Sequence, residues 1–482
     1  MKIRQTHEAI AKKTFSFLEL TQDRLKLAKE NKHQEYITVC ADLALSAATK
    51  ADAVFQKEGV QAFVRNPILG IPLAIKDLIL IRNIRNTCGS KLLDNYVAPY
   101  SASVIQQLEG AGAVFIGKTN LDEFGMGSSN ENSPYGSVSI PGFPERVAGG
   151  SSGGSAAAVK SGSCDAALGT DTGGSIRLPS SFCGIVGIKP TYGRVSRYGQ
   201  VAYASSLDQI GPMARTVEDA GLLLDLITGH DFKDSTSIPM PPTRCAAASA
   251  LMTEWSKIRL GVPEEYFKSG LHPDVEKPIR QALTWAEKQG AKLVPVQLPH
   301  SEYGVAVYYL IAVSEASSNL ARFDSVRYGQ RKVLAEDVRD LSTFYEINRS
   351  QLGEEVKKRI LLGTFALSAG YSEAYFKRAC QVRRKIKEDF DRVFNTVDFI
   401  VGPVSSTVAF KKGEKTQDPL QMYLNDIFTV PANLAGLPAM SLPCGQDSNG
   451  LSVGLQLIGP AFSEEFMVSL AAGFEKGIEG VR

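Results

Sequence analysis

From Ile68 onward the chain carries short apolar runs, Ile71–Ile75, Ala113–Ile116 and Ile185–Ile188, each bounded by glycine, proline or asparagine. Runs this short and this apolar suit strands buried on both faces, and the stretches between them have helical spacing. The alternation predicts an α/β protein on a mainly parallel sheet. Ile258–Val262 and Lys292–Val296 read as two further strands. Between them lies a helix over Asp274–Gln289, with Val275, Ile279, Leu283 and Ala286 on one face, so the three make one βαβ unit. Residues 1–60 read as helices: Ile10, Phe15, Leu18 and Leu25 are helically spaced, and Ala41–Val54 is alanine-rich. They are expected to form an outer helical layer of the same domain as residues 61–482. Cys245–Ser256, after the proline-rich Pro239–Pro242, reads as a surface connection. No linker or internal repeat divides the chain, which favours one domain.

Composition narrows the class. The 482 residues are 44% hydrophobic and 22% charged, ordinary values for a globular protein able to bury a large core. With 53 basic against 51 acidic residues, the net charge of +2 gives no general attraction to phosphate. Any nucleic acid this chain serves would be gripped mainly by a partner. Seven dispersed cysteines without CxxC spacing point to a reducing compartment and no structural zinc. Met1–Glu19 is charged and helix-like, so no secretory signal is expected. The most apolar late segment, Ile427–Cys444, is broken by Pro431, Asn433, Gly436, Pro438 and Pro443 and makes a poor membrane helix. The sequon at Asn348 carries no information in a cytoplasmic protein.

The chemistry concentrates in two Gly/Ser clusters. Gly149–Ser155 runs into the alanine-rich Ala156–Val159, and Gly169–Arg177 leads to Ile185–Ile188. A flexible linker is the plain reading of such composition. The flanking buried segments favour instead a backbone that turns sharply and approaches a ligand, with N–H groups free to hold an oxyanion. Two motif matches compete. Gly112–Thr119 fits a phosphate loop using Lys118 and Thr119, although its middle is strand-like. Gly149–Gly153 fits a nucleophile elbow with Ser151 as nucleophile, yet only His230, His272 and His300 follow it, none in a recognisable triad context. A lysine can replace the histidine if its amine is neutral. Lys76, ending the apolar run Gly70–Lys76, is half desolvated by position; the alternative is a strand-end lysine that snorkels to water.

These segments, with Gly117–Phe124 and Phe182–Thr191, resemble the amidase signature family, and Ser151 and Ser175 stand 24 residues apart as in that family. The resemblance implies a central mixed β-sheet covered by helices on both faces. It also implies that Ser175 is the nucleophile, that Ser151 in a cis peptide relays the proton, and that Lys76 is the base. Thr172, Gly173, Gly174 and Ser175 would supply the oxyanion hole, and Asp171 with Arg177 a bracing ion pair. The segments Phe124–Ser129, Ser314–Leu320, Lys358–Thr364 and Asp426–Gly445 are similar to one branch, the glutaminase subunits of tRNA-dependent amidotransferases. Glutamine carries two charges beyond its amide, so a glutaminase needs a cation and an anion there. By resemblance Arg359 binds the α-carboxylate and Asp426 the α-ammonium, with Ser128 and Tyr309, or Tyr308 one register earlier, lining the pocket. The branch implies a cytoplasmic heterotrimer. A B subunit would handle ATP, magnesium and aminoacyl-tRNA, and a small C subunit would lie between, leaving this chain without cofactor, metal or membrane. Asp-tRNA(Asn) is a second possible acceptor beside Glu-tRNA(Gln). Residues 1–60 fit the branch more loosely. The competing expectations are a free-standing amidase with the same three residues and a nucleotide-binding protein built on Lys118 and Thr119.

Overall fold

The computed structural model describes residues 2–268, 270–333, 338, 340–416 and 418–478. One eleven-stranded sheet organises them. At one end Val114–Thr119, Pro72–Lys76 and Ala166–Asp171 run parallel, with Tyr36–Val39 antiparallel on the outer edge. At the other end Phe399–Pro403, Arg259–Pro263 and Lys292–Val296 are also parallel. Between them Gln209–Ala214, Val186–Lys189, Ala439–Gln446 and Ser452–Ile458 are joined antiparallel to one another and to both ends.

The mainly parallel sheet read from the apolar runs is therefore corrected to a mixed one. A strand covered on both faces is apolar whichever way its neighbour runs, so composition carries no direction. The all-helical reading of residues 1–60 is corrected as well: helices Ile3–Ala11, Phe17–Glu30 and Ala41–Glu58 enclose the edge strand Tyr36–Val39. Four residues are too few to show a period, although Tyr-Ile-Thr-Val has strong strand propensity. Cys245–Ser249 is a short helix at the surface whose inner face, Cys245, Ala248 and Ser249, is buried, while Ala247, Leu251 and Met252 stay exposed. The expected βαβ unit appears as Arg259–Pro263, Pro273–Lys288 and Lys292–Val296.

Alternation along the strands sorts the core into two layers. Leu73 and Ile75 face one apolar cluster, which includes Leu223, Ile279 and Leu470 from covering helices. Ala74 faces the other, with Phe17, Ala44 and the helix Gly153–Ser161. By the same two-residue period Lys76 emerges on the side of Ala74, under the start of that helix. A third cluster unites Tyr203, Tyr308 and Ile311 with the helices Gly304–Asn319, Glu354–Leu367 and Arg378–Val393. Gly363 allows two of these to cross closely, since a Cβ there would lie 1.9 Å from the carbonyl oxygen of Val313. That crossing fixes Arg359, one turn earlier on the same helix.

Candidate active site

Lys76 and Asp171 end neighbouring parallel strands, Pro72–Lys76 and Ala166–Asp171. The carboxyl ends of parallel strands are where α/β sheets gather functional groups. Lys76 is fully buried. Its Nζ lies 2.7 Å from Ser151 Oγ, 2.8 Å from Ser152 Oγ and 2.8 Å from Thr170 Oγ1. A fourth, longer contact is the Thr170 carbonyl at 3.4 Å, and among the described residues no carboxylate lies within hydrogen-bond distance of the amine. Burial lowers its pKa to about 7, against the upward pull of Asp122, Asp171 and Asp208 at longer range. The peptide bond between Gly150 and Ser151 is cis. Ser175 is 8% exposed, Ser151 1% and Lys76 0%, and the Ser152 N–H donates to the Ser175 carbonyl at 3.2 Å, which brings the two serine loops together.

The Thr172–Ser175 loop is held by Asp171. Its carboxylate accepts the N–H groups of Gly174 at 2.9 Å and Ile176 at 3.2 Å, both arms of Arg177 at 3.0 Å, and Asn433 Nδ2 at 2.8 Å. Burial pushes the Asp171 carboxyl up, but the Arg177 guanidinium outweighs it and holds the pKa at about 2. The expected four-donor hole is corrected here, because the Gly174 N–H is taken by Asp171. The N–H groups of Thr172, Gly173 and Ser175 make no hydrogen bond among the described residues. Thr172 is anchored through its hydroxyl, which donates to Asp208 at 2.7 Å.

Beyond this loop stand the charges. Asp426 is buried, and one of its carboxylate oxygens accepts the Ser128 hydroxyl. The other accepts nothing among the described residues and lies 3.3 Å from where a Cβ at Gly174 would sit. Burial pushes the Asp426 carboxyl up to about 7, against the Ser128 bond. Arg359 is also buried; its Nε donates to Glu355 at 2.8 Å and Nη1 to the Tyr203 hydroxyl at 2.9 Å. Nη2 makes no hydrogen bond among the described residues. The two tyrosines divide the work: Tyr308 packs on the loop, 2.7 Å from a Cβ placed at Gly173, and the Tyr309 ring centre lies 5.1 Å from the Arg359 guanidinium.

Every expected residue thus falls in one region. Sequence reasoning missed Ser152, Thr170, Glu355 and Tyr203. Glu355 had a signal, since it precedes Arg359 by four residues on a helix. Tyr203 had none, lying far from Arg359 in the chain. The competing motifs dissolve. Lys118 is buried within a strand, 2.7 Å from Asp77, and Thr119 bonds Ser155, so Gly112–Thr119 is not a phosphate loop. His272 caps a helix, His300 binds Asp389 and His230 packs on Phe232. Among the described residues no His, Cys, Asp or Glu cluster is arranged for a metal ion, and no helix is long and apolar enough to cross a membrane.

The profile described as Amidase matches residues 17–468. The chain is 50% identical over 481 residues to the A subunit of a glutamyl-tRNA(Gln) amidotransferase in Thermosynechococcus vestitus, covering 98% of this chain and 97% of that one. The crystal structure of the corresponding A subunit from Thermotoga maritima, also a glutamyl-tRNA(Gln) amidotransferase, is 41% identical, with a TM-score of 0.73 over 96% of this chain and 95% of that one. A native peptide amidase from Stenotrophomonas maltophilia is 28% identical, with a TM-score of 0.80 over 99% of this chain and 97% of that one.

Proposed function

This chain belongs to the amidase family, and from that premise we propose that it is the glutamine-hydrolysing subunit of a tRNA-dependent amidotransferase, releasing ammonia to convert Glu-tRNA(Gln) to Gln-tRNA(Gln). The observation that carries the chemistry is a fully buried lysine amine whose nearest partners are hydroxyls, one of them Ser151 at 2.7 Å. At a pKa of about 7 roughly half of such an amine is neutral at pH 7, against about one in a few thousand for an ordinary lysine.

Glutamine enters with its amide toward Ser175. Its α-carboxylate meets the unoccupied Nη2 of Arg359, above the Tyr309 ring. Its α-ammonium meets the free oxygen of Asp426, whose partner oxygen Ser128 holds. Neutral Lys76 takes the Ser151 proton as Ser151 takes that of Ser175, and Ser175 Oγ attacks the amide carbon. Negative charge moves to the former carbonyl oxygen, where the N–H groups of Gly173 and Ser175 stabilise it, each by about 3 kcal/mol. Collapse breaks the C–N bond, the proton returns through Ser151 to the departing nitrogen, and ammonia leaves a glutamyl ester on Ser175. Water repeats the sequence and frees glutamate.

Relatives that carry the name of an A subunit support a complex with further subunits. We assign ATP, magnesium and aminoacyl-tRNA to a B subunit, with a small C subunit completing a cytoplasmic heterotrimer. This chain then needs no cofactor of its own, and Asp-tRNA(Asn) is a second acceptor to test. The near-neutral charge of +2 supports placing the tRNA grip elsewhere.

Ammonia release from glutamine, measured with whatever subunits co-purify, tests the reading. It is expected to rise with ATP and Glu-tRNA(Gln) and to vanish in Ser175→Ala. A chain that ignores both additions and cleaves simple amides as well as glutamine is a free-standing amidase.

A further inference from the structure

The turn that carries Asp426 also reaches into the loop that carries Ser175. Thr429 is fully buried, and its hydroxyl lies 2.6 Å from the Gly173 carbonyl and 3.1 Å from the Asp426 carbonyl, so its single proton goes to the nearer acceptor, Gly173. Its own N–H donates to the Asp426 carbonyl at 3.0 Å, which ties it to the turn. Its carbonyl accepts Arg177 Nη1 at 2.9 Å, the same guanidinium that pairs with Asp171.

The peptide group between Gly173 and Gly174 is therefore held at both ends. Thr429 holds its carbonyl, and Asp171 holds its N–H at 2.9 Å. A peptide group is planar, so these two bonds fix its orientation. Two consecutive glycines would otherwise give the loop wide torsional freedom. The packing leaves no slack: Gly174 has φ +141°, and a Cβ there would lie 2.3 Å from Thr429 Oγ1. The N–H groups of Gly173 and Ser175, which like that of Thr172 make no hydrogen bond among the described residues, flank this locked plane.

We propose that Thr429 is a positioning residue for amide hydrolysis: its hydroxyl locks the Gly173–Gly174 peptide so that the flanking Gly173 and Ser175 N–H groups face the developing oxyanion. The proposal rests on the Ser175 reading of the site. Thr429 touches neither substrate nor proton, and it acts only through the loop. Donors aimed at an oxyanion act in the transition state far more than on bound glutamine, so the effect belongs in kcat.

Thr429→Val keeps the branched shape and removes the hydroxyl. In the chain with its co-purifying subunits, kcat for ammonia release is expected to fall about 10- to 100-fold, with KM for glutamine changed less than about threefold. Thr429→Ser keeps the hydroxyl and is expected to restore kcat to within about threefold of the parent. The proposal is overturned by a valine variant within about twofold of the parent kcat, by a KM rise at unchanged kcat, or by a serine variant as slow as the valine one. Should the valine variant lose its melting transition, Thr429→Cys, with a poor donor in the oxygen's place, carries the same expectations. Ser175→Ala runs in parallel. If that variant keeps its activity the underlying reading fails; if it is dead while Thr429→Val is normal, only the present proposal fails.

Discussion

Lys76 and Lys118 sit on adjacent parallel strands, Lys118 in register with Ile75 and Lys76 one residue further along, so they leave opposite faces of the sheet. Neither has any solvent exposure. Lys118 is met by a carboxylate, Asp77 Oδ1 at 2.7 Å, and by Asn86 Oδ1 at 2.5 Å. Lys76 is met by three hydroxyls. The same residue type at the same depth is an ion-pair member on one face and the proposed proton acceptor on the other. What differs is the partner: a carboxylate on one face, hydroxyls on the other. Lys189 adds a qualification. Burial brings it to about 7 as well, yet its amine donates to the Pro190 carbonyl and is not among the groups that contact Ser151. A lowered pKa marks a base only where a reacting group lies within reach.

Substituting the two lysines by methionine should separate these roles. Lys76→Met is expected to lower ammonia release about 10,000-fold, the upper end for a general base, while the melting temperature holds or rises. The stability half has a definite sign. A lysine whose folded pKa lies below its unfolded value binds fewer protons when folded, so it costs stability, most fully below pH 7, and the cost fades as pH rises toward 10.5. Methionine removes that cost. Lys118→Met should do the reverse: it strands a buried Asp77 carboxylate and is expected to lower stability by about 3–5 kcal/mol in denaturant titration. A stable, active Lys118→Met would show that the ion pair is dispensable and erase the contrast.

Arg359→Ala tests the recognition end. Loss of a charge-assisted contact should raise KM for glutamine about 100-fold with a smaller change in kcat, and an unchanged KM would remove Arg359 from the pocket. The smallest effect is the pH profile. With glutamine saturating, kcat should fall about tenfold from pH 8 to pH 6 as Lys76 protonates around its pKa of about 7. Over the same range kcat/KM should fall more steeply, because Asp426, also near 7 in the empty site, must be ionised to receive the ammonium. A kcat flat across this range would rule out Lys76 as the base.

Much of this was legible before the structure. The run ending at Lys76, the two Gly/Ser clusters and the Lys292–Val296 strand are local patterns, and the fold realises them within a residue or so. What was not legible depends on closure between distant stretches. Nothing near Gly174 indicates that its N–H turns back to Asp171, nor that the residue on the far side of its peptide bond would be Thr429. Tyr203 meets Arg359 across 156 positions of chain, and no period or spacing encodes such a contact. Strand direction was hidden for a different reason: a doubly covered strand looks the same from either end.

The proposed relay and most of the groups proposed to recognise glutamine come from separate stretches. Lys76, Ser151 and Ser175 lie in the first half of the chain, and Tyr309, Arg359 and Asp426 on elements well beyond it. A lineage that changes the second set can inherit the first intact.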